Sequence, residues 1–220
     1  MVRKIRSAGV WVLLLTLTMV GLLCPLARAL DPIPEGKVAV LELDPAKTSI
    51  AFLLNGWPHD THGTFKLKRG LIRIYPATGA MNGIVIVDAS SADSGVSIRD
   101  ERMRSSILEA SRFPEITFTP QQVESHGNPE REFPVKVRGL LLLHGTQHDF
   151  TVDALVSRGA NNTTIHCSFV VPFVQWGLED PSVLMFKVSK QVRIDVTTSA
   201  RLSWISSTAI PGTTQDRGRL

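Results

Sequence analysis

The chain has 220 residues, 43% hydrophobic and 20% charged, with 24 Lys+Arg against 20 Asp+Glu, 6 His and 2 Cys. That size and balance fit one folded domain with tails. They exclude a disordered chain, a disulfide-dense scaffold and a cysteine-rich zinc module. The formal charge of +4 is carried by residues 1–29, which hold Arg3, Lys4, Arg6 and Arg28 and no acid. The remainder is neutral, which argues against nucleic acid as a partner.

Met1–Arg6 is basic, Ala8–Leu23 is apolar, and Ala27-Arg28-Ala29 has the small-x-small pattern of a cleavage site. This three-part layout predicts a secretory signal over 1–29, with Leu30 as the new N-terminus. The apolar run is shorter than the ~20 residues that span a bilayer, which weighs against a retained anchor. Lipidation at Cys24 is disfavoured because Gly21-Leu22-Leu23 puts a bulky Leu where a lipoprotein site normally has a small residue. Cleavage would leave Cys167 as a lone thiol, best kept buried. No later apolar run reaches 18 residues, so stable membrane insertion after cleavage is not expected.

Leu30–Lys37, with Pro32, Pro34 and Gly36, reads as a linker. Period-2 alternation then dominates, as in strands with one buried face. Val38–Leu43 and Ser49–Leu54 read as two strands around an Asp44-Pro45-Ala46-Lys47 turn. Thr64–Tyr75 alternates with one parity flip after Arg69-Gly70, which predicts a β-bulge there. Ile84–Val87, Glu115–Glu124, Glu132–Leu143, Asp149–Val156, Thr164–Phe173 and Ser189–Trp204 complete the strands. Arg99–Ala110 has Met103, Ile107 and Ala110 at helical spacing and reads as one short helix, with a second helical turn near Asp180–Leu184. Residues 206–220 read as a loose, disordered tail.

Long alternating strands with no βαβ rhythm predict an all-β fold: an antiparallel barrel of about eight strands, over 38–205, with one or two short helices. The predicted inward row is apolar: Phe52, Leu54, Phe65, Leu67, Ile72, Ile74, Ile116, Phe118, Val135, Val137, Phe150, Val152, Ile165, Phe169, Val171, Val192, Ile194 and Val196. By periodicity alone this is an ordinary filled core. A hollow barrel lined this way would select a hydrocarbon chain by shape and apolar area, each buried methylene contributing about 0.8 kcal/mol.

The polar clusters have plain readings beside chemical ones. His59, Asp60 and His62 in Gly56–Gly63 have metal-ligand character, but no third protein ligand is near in sequence. The plain reading is a solvated loop whose Trp57 caps one barrel end. His144 and His148 flank Gly145-Thr146-Gln147 and lie near Asp149 and Asp153. An acid–base site is one reading, exposed turn residues the other. Asp100 and Glu101 suit the first turn of a helix. Lys190 falls on the inward parity and can reach a barrel mouth to meet a polar head group. No serine nucleophile motif, phosphate-cradling Gly loop or HExxH is present.

Three segments in order carry a family resemblance. Ser97–Phe118 reads SIRDERMRSSILEASRFPEITF, with an Arg-Asp pair opening a short helix and a Pro before an x-Ile-x-Phe strand. Val137–Asp153 reads VRGLLLLHGTQHDFTVD. Val171–Val196 carries Gly177 after an aromatic, then a long Val/Ile strand. Leu43-Asp44-Pro45 and Gly63-x-Phe65 agree at the start. The chain resembles the YceI-like family over about Val38–Leu202. It departs from that family at Met103 and Thr48, where the family often has His, and at Thr146-Gln147-His148-Asp149.

The resemblance implies a lipocalin-like, hollow barrel, secreted to the periplasm, that binds polyisoprenoid, isoprenoid-quinone or similar long-chain lipid for carriage, storage or stress protection. The expected lining is Phe52, Leu54, Phe65, Leu67, Phe118, Phe150, Val152, Phe169, Val171 and Ile194, with Lys190 for a head group. Entry is expected through a mouth gated by Gly56–Gly63 and the helix. No catalytic residue, metal or cofactor beyond bound lipid is expected. The alternative is a small metal- or His-dependent enzyme on lipid-like substrates. A homodimer is the remaining partner expectation.

Overall fold

The computed structural model describes residues 36–125, 132–159, 162–182 and 187–206. The expected leader, most of the linker, the tail beyond Ser206 and residues 183–186 lie outside these. Eight long strands close into one antiparallel barrel: β1 (Lys37–Leu54), β3 (Thr61–Tyr75), β4 (Ala80–Asp93), β5 (Glu115–Ser125), β6 (Glu132–Leu143), β7 (Thr146–Arg158), β8 (Thr163–Val171) and β10 (Val192–Ser206). Each pairs with its neighbour in sequence, and β1 closes the ring against β10. Two short strands, β2 (Gly56–Trp57) and β9 (Lys187–Val188), pair outside the ring. Every long strand pairs on both sides, although β7 and β8 pair only over Ala154–Arg158 with Thr163–Cys167.

Period-2 alternation sets which side chains face in. Ladder partners such as Leu41–Ile72, Phe52–Ile194, Phe169–Ile194, Val137–Val152 and Phe118–Leu141 place apolar residues opposite one another around the wall. The outward rows carry ion pairs of mixed sign, as in Lys136–Asp153 (3.1 Å) and Arg138–Glu124 (2.9 Å), beside apolar positions such as Leu155 and Val170. These exposed pairs add little stability.

Three expectations need correction. Asp44–Lys47 does not separate two strands. β1 runs through it, and the register against β3 and β10 shifts there, because both flanks pair with the same two neighbours. The segment closes on itself, Asp44 Oδ1 accepting from Ala46 N (2.9 Å) and Asp44 O from Thr48 Oγ1 (2.7 Å). The bulge in β3 lies at Lys68, where Leu67 faces Val87 and Arg69 faces Ile86, rather than at Gly70. Gly70 instead takes the close approach of Leu43, whose Cδ1 would lie 2.5 Å from a Cβ there. The strand seen only as Ile84–Val87 extends from Ala80 to Asp93.

The helix also differs. α1 spans Ser97–Arg102 and then widens into a π-turn, Met103–Ile107, in which Leu108 N donates to Met103 O (2.9 Å). Residues 180–182 are not helical. The turn expected there sits earlier, over Pro172–Leu178, where Trp176 N donates to Pro172 O (3.1 Å). No helix among the described residues is long and apolar enough to cross a membrane.

Candidate functional site

The barrel interior is the concave, apolar surface of this molecule. All eighteen residues of the predicted inward row share the inner face in the observed register, directly or by extension of a ladder. Their burial is uneven. Phe52, Leu67, Val152 and Val171 are buried, whereas Leu54, Phe65, Phe118, Phe150, Phe169 and Ile194 are only part-buried. The remaining accessible surface of an inward side chain borders space inside the barrel or at its ends. A filled core would bury these rings fully.

The aromatic rings form two groups. Phe118, Phe150 and Phe169, from β5, β7 and β8, meet edge to face at 6.4 and 5.1 Å. Phe52 and Phe65 lie 5.5 Å apart on β1 and β3. Gly139 is what lets the first group form: a Cβ there would lie 2.9 Å from the Phe118 ring. Lys190 is not part of this wall. It is exposed ahead of β10 and its carbonyl accepts from Val174 N (3.5 Å). Asp180 is held below the usual carboxylate range by the Ser182 backbone N–H, then its hydroxyl, with Lys190 and Lys187 adding charge.

One end of the barrel is closed. Ile107 at the end of the π-turn and Leu108 after it, Phe173 and Leu178 from the segment after β8, and Leu143, Val171 and Ala92 from strand ends form one buried cluster. Leu54, Phe65, Phe150, Phe169 and Ile194 pack on it together with Met103 and Trp176. Six of the ten expected apolar lining residues, Val171 included, therefore form the floor of the interior beneath the helix. This is the end at which a gated mouth was expected. Trp57 does not cap it: the residue is 64% exposed, and its backbone pairs with Lys187 in the short ladder outside the ring.

Polar contacts lock this end. Asp100 is buried and accepts from Ser94 N (2.7 Å) and Ser94 Oγ (2.5 Å), tying the helix to the end of β4. The Ser94 hydroxyl chiefly, then the Ser94 N–H and the charges of Arg104 and Arg99, hold its carboxyl below the ordinary value against the opposing effect of burial. His144 and Gly145, with φ of 50° and 76°, make the β6–β7 hairpin turn. His144 Nε2 lies 3.0 Å from Glu109 Oε1, joining that turn to the segment just after the π-turn.

The chemical alternatives find no converging geometry. His59 and His62 are exposed, and Asp60 spends its carboxylate on Gly56 N (2.9 Å) and Asn55 Nδ2 (3.4 Å). No group of three or more His, Cys, Asp or Glu among the described residues is placed to hold a metal ion. His148 is not an exposed turn residue. It lies on the inward row of β7, part-buried, with its ring stacked on Trp176 at 4.0 Å. The i, i+2, i+4 row His148, Phe150, Val152 was readable in the sequence. Trp176, Phe173 and Leu178 were not, because they sit on an aperiodic segment. Cys167 also faces in, between Ala154 and Val196, and burial first, then Asp195, pushes its thiol up to about 11.

Comparison with known proteins places the fold. A solved structure from Burkholderia cenocepacia, BcnA, is similar with a TM-score of 0.59 at 17% identity, covering 71% of this chain and 98% of that one. A structure described as a polyisoprenoid binding domain from Saccharophagus degradans, implicated in plant cell wall breakdown, is similar with a TM-score of 0.58 at 18% identity, covering 74% and 98%. No curated protein sequence matches the chain. The profile of the YceI-like domain matches residues 41–200, and the chain belongs to the YceI-like domain family.

Proposed function

We propose that this protein binds a long apolar lipid, of polyisoprenoid or isoprenoid-quinone type, inside its barrel, and carries or stores it in the periplasm or outside the cell. The observation that carries the reading is the part-exposed state of inward-facing apolar side chains in a closed wall. Among the described residues no Lys or Arg faces in between the strand ends. Such a surface rewards hydrocarbon at about 0.8 kcal/mol per methylene, ample for a chain of several branched units after the cost of immobilising it. The family and the polyisoprenoid binding domain among the similar structures support the same ligand class. The leader-like N-terminus supports export.

The test is mass spectrometry of lipid extracted from purified protein, with titration of added isoprenoids. Co-purifying long-chain lipid in near one-to-one amount is expected. Protein that yields no lipid, and is neither bound nor stabilised by added isoprenoids, overturns the reading.

A further inference from the structure

Among the described residues one buried side-chain polar atom has no hydrogen-bond partner, His148 Nε2. A buried polar atom left unpaired is costly and normally marks a missing partner. His148 stands on the inward row of β7, opposite Leu141 and two residues from Phe150. Its ring lies face to face with Trp176, the planes 6° apart, and Trp176 meets Phe150 edge-on at 6.0 Å. This packing fixes the imidazole plane and so the direction of Nε2. The atom sits at the helix end of the interior, and the inward hydroxyls of Thr48 and Thr198 bond to each other (2.6 Å).

We propose that His148 Nε2 is the polar anchor of the interior, and that it holds a neutral oxygen of the lipid head group, a hydroxyl or a quinone-type carbonyl. This rests on the lipid-binding reading above. An imidazole nitrogen donates or accepts according to tautomer, so one atom serves either oxygen. A phosphate fits poorly. No cation faces in near His148 among the described residues, and an anion buried beside Trp176, Phe150 and Leu141 would lack a counter-charge. The nearest basic candidate on that parity, Arg158, is exposed at the far end of β7 with its guanidinium over Phe133. Because Nε2 has almost no accessible surface, the head group reaches it by a small displacement of Trp176, which sits on a connecting segment rather than a strand. The head then lies under the helix and the tail runs toward the opposite end.

The experiment compares three probes of one chain length: an isoprenoid alcohol, the hydrocarbon lacking its hydroxyl, and the phosphate ester of the alcohol. Wild-type protein should bind the alcohol about tenfold more tightly than the hydrocarbon, the worth of one buried hydrogen bond. His148→Leu should erase that difference by weakening the alcohol alone, and His148→Gln, which keeps a hydrogen-bonding group, should restore part of it. Thermal unfolding of the lipid-free His148→Leu protein should occur no lower than wild type, since an unpaired polar atom has been removed. Equal binding of alcohol and hydrocarbon by wild type overturns the proposal and leaves the lipid-binding reading intact. So does tighter binding of the phosphate ester than of the alcohol, or a His148→Leu loss shared by all three probes. Wild-type protein that binds none of them sinks the lipid-binding reading itself. If His148→Leu does not fold, the wild-type and His148→Gln series decides alone.

Discussion

Val137 offers a direct test of whether the interior is empty. It lies on the inward row of β6, opposite Val123 and Val152, is part-buried, and belongs to neither packed cluster. Val137→Phe adds roughly four carbons at that point of the wall. In a filled barrel this is overpacking and costs about 1–3 kcal/mol. For a domain of this size that lowers Tm by about 2–4 °C per kcal/mol. In an empty barrel the ring enters free space and the stability change stays below about 1 kcal/mol. The ring then occupies the volume of about four methylenes of ligand, worth about 3 kcal/mol at 0.8 each, so lipid affinity falls more than a hundredfold. Thermal unfolding of lipid-stripped protein and titration with an isoprenoid measure the two effects. A Tm drop of several degrees with unchanged lipid affinity would refute the reasoning, because it would mean a solid wall and a binding surface elsewhere.

Phe169→Asp places a carboxyl between Phe150 and Ile194 and should abolish lipid retention on purification. Burial raises that carboxyl's pKa, so the variant should be more stable near pH 4 than near pH 7; a pH-independent Tm would show that the site is wet. Cys167, its thiol pushed up to about 11, should react with iodoacetamide at pH 8 at least about a hundredfold more slowly than an ordinary thiol, and more slowly still with lipid bound; reaction at free-thiol speed in the loaded protein contradicts its inward placement. The lowered pKa of Asp100 gives a stabilisation fully present above the ordinary Asp value of about 3.9 and lost as pH falls through the folded value. Wild-type Tm should therefore fall below that pH by more than the Tm of Asp100→Asn, and parallel acid profiles of the two proteins would show that the contact to Ser94 does not stabilise the helix end.

The barrel wall was legible because its signal is local. Alternation such as Phe150-Thr151-Val152-Asp153-Ala154 reports one buried face without any knowledge of partners, and the inward row followed from it. The misreadings share a cause. Asp44-Pro45 looks like a turn by composition, and only pairing of both flanks with β3 and β10 keeps the strand continuous. β4 was mostly invisible because Asn82-Gly83 and the Asp88–Ser91 stretch lack alternation, although Ala89 and Ala92 are almost fully buried. Small residues at a crowded bulge carry the packing there, and composition does not register it.

The ends of the barrel decide how a lipid would move. The helix lies between β4 and β5 beside one of them, where a gated mouth is expected. In the structure that end holds the larger of the two buried clusters, with Ile107, Leu108, Leu143, Phe173 and Leu178 in it, fastened by Ser94–Asp100 and Glu109–His144. At the other end, Val123, Val135, Val137 and Val156 face in, part-buried, and join neither cluster among the described residues. A hydrocarbon tail gains most where apolar surface is still uncovered. For a lipid bound as proposed, the tail therefore belongs along this valine-lined half. Entry through the helix end would first have to dismantle the packing that holds β4, the helix and the segment after β8 together. That cost falls on the path rather than on the bound state, so it would show in the rate of loading.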